Sequence, residues 1–138
     1  MDPATGDWQD AAMGTIDDYL GTLAESDRAV IAHVYAVAGE GIETEQGTSY
    51  AMPALLYRGK ALLAVMRTKK HLGLYPFSGR VPLVVADELD SLADVGVERE
   101  KGTIRFQPEH PLPDDVIRRI VAARIAEIED PGLRRSRP

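Results

Sequence analysis

Between Tyr50 and Pro76 the chain runs through three short apolar stretches, Tyr50–Tyr57, Lys60–Met66 and His71–Pro76, with only brief turns between them. Arg58–Gly59 separates the first two, and the polar Arg67–Lys70 separates the second from the third. Parallel strands need a crossover of about a dozen residues or more, so neighbours joined this tightly run antiparallel. A two-residue turn containing glycine is a hairpin signal. Pro53 has no N–H to give to a ladder, which suits an edge, a bulge or a strand start. An antiparallel sheet is therefore the element around which the rest of the chain must be arranged.

Helical patterns flank this stretch. Thr15 reads as an N-cap with Asp18 at the third helical position, followed by an apolar stripe of Ile16, Tyr19, Leu20 and Leu23. A hinge near Glu25–Ser26 leads to a second stripe, Val30, Ile31, Val34, Val37 and Ala38, which stops at Gly39 and Gly41. Glu40 to Gly47 reads as a charged connector. Beyond the strands, Pro82 opens a helix carrying Leu83, Val85, Leu89 and Leu92, and Asp94 to Gly102 reads as a loop. Thr103–Phe106 is a short final strand. Pro113 starts the last helix, whose apolar stripe is Ile117, Ile120, Val121, Ile125 and Ile128, with Arg118, Arg119 and Glu127 toward the other side. The expected fold is α+β: a two-layer sandwich with an antiparallel sheet of about five strands and N- and C-terminal helices on one face. Residues 1–14 read as a loose tail with Trp8 as its one aromatic side chain, 15–130 as a single domain, and 131–138 as a short basic tail.

Composition narrows the chemistry. The 138 residues suit one domain and include no cysteine, which excludes disulfides, thiolate metal sites and cysteine nucleophiles. A net charge of −6 argues against general nucleic-acid binding. No apolar run is long enough for a membrane span, and the acidic first residues lack the features of a secretory signal, so the expected compartment is the cytoplasm. No Walker, dinucleotide-binding or nucleophile-elbow motif is present, and the three histidines, His33, His71 and His110, are too far apart for a helical metal pair.

Five blocks occur in order: Thr-Ile-Asp-Asp-Tyr-Leu at 15–20, Ser-Tyr-Ala-Met-Pro at 49–53, Lys-Lys-His-Leu-Gly-Leu-Tyr-Pro at 69–76, Lys-Gly-Thr-Ile-Arg-Phe at 101–106, and the run from Leu112 to Ile125. Together they resemble the YdhG-like family, domain of unknown function 1801. The resemblance implies a frataxin-like sandwich. Because some family members are described as iron chaperones, it also implies weak iron binding and delivery to iron–sulfur assembly proteins. One departure is that the family's stretch before Lys69 is aromatic-rich, whereas here it reads Ala-Val-Met-Arg-Thr.

Two sets of residues are candidates for function. His71 and Tyr75 share strand parity, and Lys69 joins them if the turn preserves alternation. With Tyr50, Met52 and Pro53 they form a candidate ligand-binding face of imidazole, phenol and ammonium. Glu40, Glu43 and Glu45 are the candidate metal ligands, since hard cations want several converging oxygens. Asp17, Asp18, Glu25 and Asp27 form a second acidic group. The expected function is a non-enzymatic small-ligand or metal-binding module, an intracellular iron chaperone on the strength of the resemblance. The alternative is a protein-interaction module, monomer or homodimer, docking through the sheet face. An enzyme using His71 with Tyr50 or Tyr75 is a third reading and requires a concave pocket around His71.

Overall fold

The structure is a computed structural model and describes residues 15–130 and 132. The tails read from the sequence, and Trp8 with them, lie outside the described residues apart from Gly132. Two helices come first, α1 (Thr15–Leu20) and α2 (Glu25–Ala38). Four strands follow: β1 (Glu45–Ser49), β2 (Met52–Tyr57), β3 (Lys60–Arg67) and β4 (Leu72–Tyr75). Then come two short helices, α3 (Val81–Val84) and α4 (Ala86–Asp90), a 3-10 turn at Ala93–Val95, the hairpin β5 (Glu98–Glu100) and β6 (Thr103–Phe106), and α5 (Asp114–Glu129). The sheet has six strands in the order β1-β2-β3-β4-β6-β5, and every pairing is antiparallel.

The sheet is thus one strand larger than expected. Both β1 and β5 lie in stretches assigned to a connector or a loop, because Glu-Gln-Gly-Thr-Ser and Glu-Arg-Glu carry no apolar alternation. Both are edge strands, where polar and charged residues are the rule because they discourage pairing with other chains. The helix expected from Pro82 to Leu92 is broken at Val85 into α3 and α4.

One face of the sheet carries the core. Leu55 pairs with Leu63, Val65 with Leu74, Leu74 with Ile104, and Leu72 with Phe106, so these side chains share the inner face. They pack with Ile31 and Val34 of α2, Val81 and Leu89 of the short helices, and Ile117 and Ile120 of α5. Burial of this one face supplies the main driving force for the fold. The inner stripe of α5 differs from the expected one. It runs through Val116, Ile117, Ile120, Val121, Arg124 and Glu127, while Ile125 and Ile128 are only partly buried.

Two joints between the layers were not foreseen. The backbone N–H groups of Ile16 and Asp17 donate to Gln46 Oε1 on β1, at 2.8 and 3.1 Å. The hydroxyl of Thr15, read as the cap, instead donates to the Gly47 carbonyl at 2.8 Å. The first helix is therefore capped by a neighbouring strand. The second joint repairs the ladder beside Pro53. Continuing the β2–β3 register would set Pro53 opposite Val65, where proline can accept but has no N–H to return, and the direct pairing stops at Leu55–Leu63. The Val65 N–H donates instead to the buried Tyr35 hydroxyl at 2.8 Å, and that hydroxyl donates onward to the Pro53 carbonyl at 3.4 Å. Farther along, the Arg67 N–H donates to the Tyr19 hydroxyl at 2.7 Å.

Burial raises the Tyr35 phenol well above the ordinary tyrosine range, and the Val65 hydrogen bond offsets only part of this. A raised folded value favours the protonated form. Above pH about 10 the unfolded phenol ionises while the buried one does not, so stability falls as pH rises. Urea denaturation of Tyr35→Phe should show a loss of about 1–3 kcal/mol near neutral pH, because the buried Val65 N–H loses its acceptor. The alkaline decline should be shallower than in the wild type. An unchanged neutral stability would mean the hydroxyl is not needed to close the ladder.

Candidate functional site

The outer face of the sheet is assembled from residues that pair across strands opposite in parity to the core. Gly47 faces Ala54, Ser49 faces Met52, Glu45 faces Leu56, Ala64 faces Tyr75, and Met66 faces Gly73. Ala54 and Ala64 are fully buried, whereas Met52, Leu56, Met66 and Tyr75 are partly exposed. Two glycines let the larger side chains lie flat. A Cβ on Gly47 would come within 2.7 Å of Leu56 Cδ1, and one on Gly73 would meet the Tyr75 phenol oxygen at 2.8 Å. The result is an apolar surface with a floor of small residues. The helix contacts with the sheet described above all fall on the opposite face.

At the β1–β2 tip stands an aromatic pair. Tyr50 and Phe77 have ring centroids 6.0 Å apart and planes inclined by 17°, a stacked arrangement. Tyr50 is 85% exposed. Tyr50, Ala51 and Phe77 have φ of 51°, 64° and 57°, the left-handed region in which side chains with a Cβ are strained. Arg58, with φ 53°, is the remaining non-glycine residue of this kind among the described residues. Tyr50 and Ala51 form the two-residue link between Ser49 and Met52, where a right-twisted hairpin demands a left-handed pair. Tyr50 was expected at the start of a strand. It is a turn residue with its ring in solvent, because β1 begins at Glu45 and the hairpin closes exactly where the strand was expected to start.

Phe77 is held from the helical layer. The next residue, Ser78, donates its hydroxyl to Glu127 Oε2 at 2.7 Å and accepts the N–H groups of Arg80 and Val81 at the start of α3. Glu127, 1% exposed, also lies 3.2 Å from Arg124 Nη1 and 3.6 Å from Arg80 Nη1. Arg124 Nε donates to the Ala61 carbonyl of β3 at 3.0 Å. Glu127 was expected to lie away from the apolar stripe of its helix. Instead this carboxylate is buried, and the two guanidiniums with the serine hydroxyl compensate it.

Of the six residues expected to form a ligand face, the structure gathers Tyr50, Met52 and Tyr75 on the outer side of the sheet. Pro53 has inner-face parity, paired with Thr48, and its carbonyl serves the Tyr35 joint. Lys69 is exposed in the turn before β4, and His71 precedes the strand, its carbonyl accepting from the Thr68 N–H and hydroxyl. The strand begins at Leu72, so the alternation expected to join His71 and Lys69 to Tyr75 starts after both of them. Phe77 was missed, since nothing local marks a residue two positions past a strand as the partner of a hairpin tip.

The acidic candidates are not drawn into one set. Glu40 is committed to Arg118 at 3.1 Å. Glu43 and Glu45 line a groove of about 840 Å³ with Ile42, Leu56, Tyr57 and Arg58. No group of three or more His, Cys, Asp or Glu among the described residues is arranged to hold a metal ion. Arg58 lies over the Tyr57 ring, 5.3 Å from its centroid, and 3.8 Å from Glu129. Among the described residues Glu43 and Glu45 have no ion-pair partner. In the second acidic group, Asp27 pairs with Arg67 at 3.4 Å, and Asp17 accepts from Gln46 Nε2 at 3.2 Å.

No family model matches the sequence, and no curated protein matches it. Among solved structures, a protein from the DUF1801 family, YdhG of Bacillus subtilis, is similar in fold. The match has a TM-score of 0.71 at 18% identity and covers 86% of this chain and 94% of that one. The chain thus has the α+β fold of a DUF1801 protein: an open, six-stranded antiparallel sheet with N- and C-terminal helices packed on it. No helix among the described residues is long and apolar enough to cross a membrane.

Strain at an exposed aromatic makes a direct prediction. Glycine at position 50 would relieve the left-handed penalty of about 1–2 kcal/mol while losing only the ring stack of about 0.5–1.5 kcal/mol. The urea midpoint of Tyr50→Gly should therefore match or exceed that of the wild type. A clear fall in the midpoint would make the ring structural.

Proposed function

We propose that this protein is a non-enzymatic binding module that docks a partner on the outer face of its sheet. The observation that carries the reading is the apolar surface of Met52, Leu56, Met66 and Tyr75 over Ala54 and Ala64, ending at an exposed, stacked tyrosine. Partly exposed apolar side chains gathered on one face mark interaction surfaces, and aromatic and methionine side chains are enriched in such patches. Tyrosine supplies large contact area at low entropic cost. Iron handling, which the sequence resemblance suggests, has a narrower basis in this chain. Of its three candidate ligands Glu40 is committed to Arg118, which leaves Glu43 and Glu45, where a hard cation wants several oxygens at once.

A photo-crosslinking side chain placed at Met66, on the outer face, and in parallel at Ala122, on an exposed part of α5, tests the reading in the native cell. A discrete adduct should form from position 66 and disappear when Met52→Asp is added, while position 122 stays silent. Adducts from position 122 alone would move the interaction to the helical layer and overturn the proposal.

A further inference from the structure

We infer that the partner is an extended protein segment that stacks an aromatic side chain on Tyr50 and sets basic residues against Glu43 and Glu45. This deepens the docking reading and rests on it. Three observations fix the chemistry. The first is the ring pair. Phe77 stacks with Tyr50, whose ring is 85% exposed and so open to a third ring. The backbone holds this arrangement at three points of left-handed strain, Tyr50, Ala51 and Phe77, whereas Gly41, Gly59, Gly96 and Gly102 take such positions as glycine and Arg58 is the remaining non-glycine case among the described residues. Glycine at position 50 would satisfy the hairpin without strain, so the turn itself does not require a tyrosine there.

The second observation is charge. Glu43 and Glu45 have no ion-pair partner among the described residues, whereas Glu98 and Glu100 at the opposite edge of the sheet are both engaged by Arg105. Arg58, which shares the groove with the two free carboxylates, is turned to Tyr57 and Glu129. Of the two sheet edges, the β1 edge is thus the one whose carboxylates are left uncompensated, and the chain as a whole carries −6. A basic segment meets both the local and the global field, and a phosphate-bearing ligand meets neither.

The third is continuity. From the ring pair the surface passes over Met52, Ala54 and Leu56 to the groove that Glu43, Glu45 and Leu56 line. Glu45 and Ser49, at the two ends of β1, are separated by about 13 Å at the ordinary rise of a strand, which an extended peptide spans in four or five residues. The expected recognition element is accordingly an aromatic residue followed or preceded by lysine or arginine at that spacing.

A fluorescein-labelled dodecapeptide with one tryptophan, and two lysines about four and five residues away, tests this by anisotropy against two controls, the lysines replaced by glutamates and the tryptophan by alanine. The basic aromatic peptide should bind, and both controls should bind more weakly. Tyr50→Gly should weaken binding about three- to tenfold through the lost stack. Glu43→Gln with Glu45→Gln should weaken it and flatten its decline between about 50 and about 500 mM salt. Equal binding of the glutamate control, or an affinity unchanged by both sets of substitutions, would overturn the inference. So would a concentration-dependent dimer in light scattering that Tyr50→Gly abolishes, since the occupant would then be a second copy of this chain. In any of these cases the Met66 adduct would still report on docking itself, so failure of the basic–aromatic partner and failure of the docking reading are distinguishable.

Discussion

The Glu127 carboxylate, buried in the seam between α5 and the sheet, joins parts of the molecule that nothing else links so directly. It receives the Ser78 hydroxyl, faces Arg124 and Arg80, and through Arg124 reaches the Ala61 carbonyl of β3. A buried charge of this kind is tolerable only when paired, and removing one partner from such a network costs about 3–5 kcal/mol. The network therefore fixes α5 to β3 and to the segment that leaves β4. That segment carries Phe77, so the aromatic pair on the far side of the sheet is positioned from the helical layer.

One-sided packing follows from the same layout. The helices spend their apolar stripes on the inner face, with Tyr35 and Tyr19 supplying hydroxyls where β2 no longer serves β3. What remains for the outer face is a floor of alanine and glycine under methionine, leucine and tyrosine. It is this surface, with unpaired carboxylates beside it at the β1 edge, that the docking proposal rests on. The functional proposal grows from that asymmetry rather than from any catalytic constellation.

Much of the fold was legible in the sequence because tight turns and periodicity are local signals. The β2–β3 hairpin, strand Thr103–Phe106 and the start of α5 after Pro113 lie where those signals put them. The edge strands were not legible, since solvated edges need no apolar alternation. The site was legible only in part. Strand parity was expected to join His71 to Tyr75, but β4 begins only at Leu72, and the exposure of Tyr50 depends on which two residues make the turn. Phe77 and Glu127 act through partners about 27 and 49 residues away in the chain, and no spacing rule reaches that far. The cap of α1 by Gln46 was hidden for the same reason.

The dependence of the outer face on the buried carboxylate is tested most directly by the ring-to-ring nuclear Overhauser contacts between Tyr50 and Phe77 in Ser78→Ala. That substitution removes the hydroxyl tether to Glu127 and leaves both rings in place. The contacts should weaken or vanish while the sheet's own cross-strand contacts persist. Ring contacts of wild-type strength would contradict the coupling and leave the aromatic pair a property of the hairpin alone.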